Sequence, residues 1–253
     1  MTELNKAIFE YCLRLGDSSL ILGHRLSEWC GHGPVLEEDI ALINIALDHI
    51  GRARNILTYA GEIEGLGRTE DDLAYQRNER NYRNLLITEY PNIDFAYTIA
   101  RQFFFDAYSY FLYEKLKTSK DATIAAIAEK ALKEITYHLR HSSEWVLRLG
   151  DGTEESKNKI QNALNELWRF TGEMFIMDAT DKFLLKEGIS VDLNEVKLKW
   201  DNKITEILTR ATLEKPTGAF MQSGSKTGIH TEHLGFLLAE MQYLPRTYPE
   251  AKW

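Results

Sequence analysis

IDFAYTIARQFFFDAYSYFLYEKL, residues 93–116, decides the fold class. Across Phe103–Tyr113 seven of eleven residues are aromatic, and Asp106 is the one charge. A helix that is apolar on nearly every side belongs in an interior. Ile99, Phe103, Tyr110 and Tyr113 share the face of Asp106 at helical spacing. A carboxylate buried there has to be paired, bound to metal or protonated. Two readings stay open: a core Asp bonded to a tyrosine or arginine of a neighbouring helix, or one member of a carboxylate cluster drawn from several helices.

Working outward, the chain has only five prolines in 253 residues, long stretches without Pro or Gly, and no period-2 alternation bounded by turn residues. That pattern predicts an all-α protein. A first helix is expected from about Glu3 to Trp29, ended by Gly31-His32-Gly33-Pro34. A second runs from about Leu36 to Ile63, with Leu36, Ile40, Ile43, Leu47, Ile50 and Leu57 as its bundle seam, and stops at Gly65-Leu66-Gly67. The aromatic helix starts near Asn92 after Pro91, and a fourth spans about Asp121 to Leu149 before Gly150-Asp151-Gly152. Four long helices with a long connection, Arg68–Pro91, between the second and third fit a four-helix bundle of the single-crossover type.

Beyond the bundle, Thr153 caps a fifth helix that ends near Gly188. A sixth is expected over about Leu193–Leu213, an ordered loop or flexible flap over Gly218–Gly228, and a last helix over His230–Tyr243. No Pro/Ser/Gly-rich linker interrupts the chain, so one domain is expected over 1–253, with its core bundle at about 3–150 and added helices at about 153–247.

The net charge of −8, with acids and bases interspersed, argues against general nucleic-acid binding. There is no secretory leader pattern and no uncharged apolar run of membrane length, so a cytoplasmic protein away from membranes is expected. Cys12 and Cys30 have no metal-site spacing and read as reduced core thiols.

Di-iron carboxylate bundles take a Glu from each of two helices and a Glu-x-x-His from each of the other two. Here Asp17 precedes Asp48 by 31 residues and Asp106 precedes Glu134 by 28, one acid on each of the four helices. The imidazoles are missing. Gly51 and Tyr137 stand three residues after Asp48 and Glu134, and His138 comes one position late, about 100° round the helix. Three of the acids are Asp, a methylene shorter than Glu. The expectation is a degenerate di-iron site without metal, its charge balanced by residues such as Arg52 or Lys130.

At these residues the chain resembles the ferritin-like family, and within it the structural subunits of bacterial 1,2-phenylacetyl-CoA epoxidases, the PaaC type. The resemblance runs end to end. It rests on LRLGD at Leu13–Asp17, LSEWCGH at Leu26–His32, LDHIGRARN at Leu47–Asn55 and ARQFFFDA at Ala100–Ala107. It continues through YHLR at Tyr137–Arg140, LWRFTGE at Leu167–Glu173 and GIHTEHLGFLLAEMQYL at Gly228–Leu244. The last is the most specific, because nothing in bundle packing demands HTEHLG. The resemblance implies a non-catalytic subunit paired with a di-iron catalytic sister, PaaA. It also implies a small third subunit and a reductase that passes electrons from NADPH through FAD and a 2Fe-2S cluster. The assembled enzyme would be a monooxygenase of phenylacetate catabolism, adding one atom of O₂ across the ring of phenylacetyl-CoA.

For the thioester itself, the candidates are Arg77, Arg80, Asn81, Tyr82, Arg83 and Asn84, since guanidinium forks suit phosphates and an aromatic ring suits adenine. The alternative is a loop whose arginines pair with Glu79 and Glu89. Lys226, His230 and His233 read as structural or interface residues, because two His at i and i+3 without a third ligand make a weak metal signal. The rival functions are an autonomous di-iron oxygenase using Asp17, Asp48, Asp106 and Glu134, and a helical scaffold that touches neither metal nor thioester.

Overall fold

A computed structural model describes residues 1–251. Four long helices form the bundle: α1 (Glu3–Ser27), α2 (Leu36–Glu64), α4 (Phe95–Leu116) and α5 (Ala122–Gly150), with a short α3 (Glu70–Tyr75) in the crossover between α2 and α4. Then follow α6 (Glu154–Leu167), α7 (Ala179–Lys186), α8 (Leu193–Arg210), α9 (Glu232–Met241) and α10 (Tyr243–Thr247). No strand occurs among the described residues, and the all-α, ferritin-like architecture expected from the sequence is the one formed. No helix among them is long and apolar enough to cross a membrane.

The bundle is two tight pairs. α1 lies along α2 and α4 along α5, while α2 meets α5 and α4 is covered on its far side by α6 and α8. Gly16 and Gly23 permit the first pairing, because a Cβ on Gly23 would sit 2.9 Å from the Ile50 side chain. The aromatic run of α4 is buried in part: Phe103 and Phe104 are fully enclosed, Phe104 and Trp168 pack with Trp200 of α8, and Tyr108, Tyr110 and Phe111 are half-buried.

Four sequence expectations are corrected. The apolar stripe of α2 is not the bundle seam along its length: Leu36, Ile40 and Leu47 are 72%, 51% and 62% exposed. The helix is rotated so that Leu42, Ile45, Ala46, His49, Ala53 and Ile56 face inward. The fifth helix is two helices. It breaks into 3-10 turns over Trp168–Phe170 and Gly172–Phe175 and restarts at the capping box of Asp178 and Asp181. Burial of Trp168, Phe170 and Phe175 draws the chain inward there, and a Cβ on Gly172 would press on Met221. The aromatic helix begins at Phe95 with Asp94, not Asn92, accepting from the Tyr97 N–H as N-cap. Cys12 is buried, but Cys30 is exposed.

Candidate functional site

At the centre of the bundle the aromatic helix presents Asp106, 2% exposed, to residues of α2 and α5. From α2 come His49 and Arg52, an i, i+3 pair on one face; from α5 come His138 and Ser142, an i, i+4 pair. One ligand atom each of His49, Asp106 and His138 lies within 4.8 Å of the others. The two imidazoles stack with ring centroids 5.2 Å apart. Arg52 Nη2 approaches His49 Nδ1 at 2.6 Å, and His138 Nε2 approaches Asp48 Oδ2 at 2.9 Å.

These two bonds fix the protons. A guanidinium only donates, so His49 Nδ1 accepts from Arg52 and the ring hydrogen stands on Nε2. The Asp48 carboxylate accepts from His138 Nε2, which leaves His138 Nδ1 with a free lone pair. Both rings are neutral: burial, helped by Arg52, His138 and Arg101, holds His49 well below the ordinary histidine range. Burial also lowers His138, against the upward pull of Asp48.

Burial pushes Asp106 up to about 7, opposed by Ser142, Arg52 and Arg101. The folded-state pKa therefore lies above the unfolded-state value of about 4. The folded protein binds the proton more tightly, so Asp106 removes stability as the pH rises from about 4 to about 7 and removes no more above that. Asp106→Asn, which keeps the shape without the charge, should abolish this loss. Urea unfolding of both proteins from about pH 4 to pH 8 would show wild type weakening relative to the variant, and parallel pH profiles would contradict the assignment.

The four acids expected to converge do not. Asp17 is turned to the other side of α1, where Arg77 grips it. Asp48 and Glu134 stand at the rim: Asp48 is 34% exposed, and Glu134 lies near it, its pKa raised by burial and by the Asp48 charge. The inward i, i+3 pair on α2 is His49-x-x-Arg52, with a guanidinium where a bundle di-iron site needs an imidazole. On α5 His138 faces in, while His141 turns away to Glu38 at 2.8 Å. A di-iron pair does not fit this donor set, which offers one central carboxylate and an internal cation. Of the two charge-balancing candidates, Arg52 is buried at the centre and Lys130 is exposed. Sequence reasoning passed over His49 and Ser142 because the spacing of acids was followed one residue out of phase; the available signal was the His/Arg pair at i and i+3.

The 77–84 stretch is arranged differently from a row of surface donors. Arg77, Tyr82 and Asn84 are buried and engaged internally: Arg77 with Asp17, Tyr82 with the Ala74 carbonyl and Gln242, and Asn84 with Glu89. Arg83 pairs with Glu10 at 3.0 Å, not with Glu79 or Glu89. Arg80 and Asn81 stay exposed.

The C-terminal motif closes on this crossover. His230 donates from Nδ1 to Glu89 at 2.6 Å, Thr231 gives Glu89 both its N–H and its hydroxyl, and the His233 carbonyl accepts from Arg25. Lys226 reaches Asp181, and Glu173 takes the N–H groups of Leu86, Gly224 and Ser225. Gly228, at φ +73°, lies so close to the Arg80 carbonyl that a Cβ would run into it. In these contacts the motif ties the C-terminal segment to the crossover.

The family model described as phenylacetic acid catabolic protein matches residues 1–253. Among characterised proteins, the chain is 51% identical over 243 residues to a subunit of the 1,2-phenylacetyl-CoA epoxidase of Escherichia coli (strain K12), across 96% of this chain and 98% of that protein. With the family model matching the whole length and the identity holding across 96% of it, the chain belongs to the phenylacetic acid catabolic protein family.

Proposed function

We propose that this chain is the non-catalytic subunit of a 1,2-phenylacetyl-CoA epoxidase, pairing with a di-iron catalytic sister subunit. The relative named as a subunit of that enzyme supports the assignment to the complex. The observation that carries the non-catalytic part is Arg52: a buried guanidinium, 3% exposed, stands among the residues that would otherwise receive metal. The exposed line of Leu36, Ile40 and Leu47 on α2 supports a partner surface, since such a stripe is costly to leave in water.

In this reading the assembled enzyme converts phenylacetyl-CoA, O₂, NADPH and a proton to the ring epoxide, water and NADP⁺. The di-iron pair resides in the sister subunit, FAD and the 2Fe-2S cluster reside in the reductase, and the assembly includes a small third subunit. Thioester contact from this chain falls to Arg80 and Asn81, the exposed members of the crossover stretch.

Co-expression with the catalytic sister tests the proposal. The two chains should co-purify as a stable complex that turns over phenylacetyl-CoA once the reductase is supplied. This chain alone should be inactive and hold only trace iron after anaerobic reconstitution. Two iron atoms per isolated chain, with turnover, would instead establish an autonomous oxygenase.

A further inference from the structure

We propose that Arg52 is a built-in cation that keeps a latent two-histidine, one-carboxylate site closed, and that replacing it with a neutral side chain opens that site to one divalent transition-metal ion. This inference concerns the bundle centre of this chain and holds whatever partner the chain takes.

The ligand geometry is already assembled. His49, Asp106 and His138 are all buried, come from three different helices, and bring one ligand atom each to within 4.8 Å of the others. Two imidazoles and a carboxylate with open positions suit zinc, cobalt(II) or iron(II). His138 also has the outer support such sites use: its Nε2–H is held by Asp48, which orients the ring and leaves Nδ1 facing inward. His138 Nδ1 and His49 Nε2 are both buried without a hydrogen-bond partner, an unusual state for atoms in a packed core. The mismatch lies in His49. Because Arg52 donates to its Nδ1, its inward Nε2 carries a hydrogen and has no lone pair to offer. The guanidinium also places a full positive charge beside the position an ion would occupy, and a second cation there is repelled strongly in a dry interior.

Removing Arg52 reverses both effects. The His49 proton is then free to move to Nδ1, which bares the lone pair on Nε2, and Asp106 loses the neighbouring cation and gains reason to bind another. Arg52 lies over the Tyr113 ring at 5.4 Å and forms no salt bridge among the described residues, so its removal breaks no ion pair. Substitution by methionine fills a comparable volume without charge or proton donor.

Cobalt(II) titration of the full chain, followed by its visible d–d absorption, tests the idea on wild type, Arg52→Met, Arg52→Gln and Arg52→Lys. Arg52→Met and Arg52→Gln should each bind one equivalent of cobalt, competed out by zinc, while wild type and Arg52→Lys bind none. Adding His138→Ala or Asp106→Asn to Arg52→Met should abolish the bands. Folding of the neutral variants only when cobalt or zinc is present would equally support the proposal, because the ion would then replace the guanidinium. Equal cobalt uptake by wild type, folded neutral variants that bind none at saturation, uptake that survives loss of His138 and Asp106, or failure of both neutral variants to fold with or without metal would each overturn it.

Discussion

Arg77→Met should cost about 3–5 kcal/mol of unfolding free energy, the range for stranding one member of a buried ion pair. Asp17 is fully enclosed and accepts from Arg77 Nη1 at 3.0 Å, from Arg77 Nη2, and from the Arg83 backbone N–H at 2.8 Å. The same guanidinium donates to the Asn81 carbonyl at 2.9 Å and lies over the Tyr82 ring at 4.3 Å. Its own carbonyl takes hydrogen bonds from Gln242 and Arg246 of the C-terminal segment. Removing the guanidinium leaves a charged carboxylate without its partner and takes a donor from the Asn81 carbonyl, while the backbone carbonyl that holds Gln242 and Arg246 stays in place. Urea denaturation measures the loss, and Arg77→Met with Asp17→Leu should recover part of it, because two apolar groups no longer strand a charge. A loss below about 1 kcal/mol, the range of exposed pairs, would mean that water reaches Asp17.

Glu89→Ala should act almost as strongly and in a more local way. Glu89 is fully buried and accepts from Asn84, His230, the Thr231 N–H and the Thr231 hydroxyl at 3.0, 2.6, 2.8 and 2.6 Å. Each stranded buried donor costs about 1–3 kcal/mol, so the total should reach about 3 kcal/mol or more. Thr231 is the N-cap residue of α9, and its hydroxyl is given to Glu89 instead of capping the helix. The C-terminal segment is consequently held by this carboxylate, with Glu173 holding the turn at Ser225. Limited proteolysis should cut the 214–231 segment of Glu89→Ala much faster than that of wild type, with hydrogen exchange in α9 accelerated and exchange in α4 little changed. Uniform acceleration in both helices would show that the segment does not open by itself.

Both residues lie in the crossover between α2 and α4, Arg77 tying it to α1 and Glu89 tying it to the C-terminal segment. Two of the three guanidiniums in the arginine-rich stretch pair with carboxylates of α1, Arg77 with the buried Asp17 and Arg83 with the half-buried Glu10, while Arg80 stays exposed. Residue types that match a phosphate also match Asp17, and only burial separates the two uses.

Legible in the sequence alone are the all-α class, the four long helices with their Gly and Pro stops, and the interior position of Asp106 within the aromatic run. These are local properties, set by period and by turn residues. The expectation of a bundle centre without imidazoles fails, because His49 and His138 both face Asp106. Only the tertiary structure decided where the acids point. Asp17 meets Arg77 60 residues away, His138 meets Asp48 90 away, and His230 meets Glu89 141 away. Helical spacing shows that residues share a face but not what that face meets, so the α2 stripe at Leu36, Ile40 and Leu47 reads as seam and yet lies outside. A rotation of α2 by one residue, about 100°, decides whether Asp48 or His49 reaches Asp106. That rotation is set by the fit of Gly16 and Gly23 against Leu57 and Ile50, which no single helix contains.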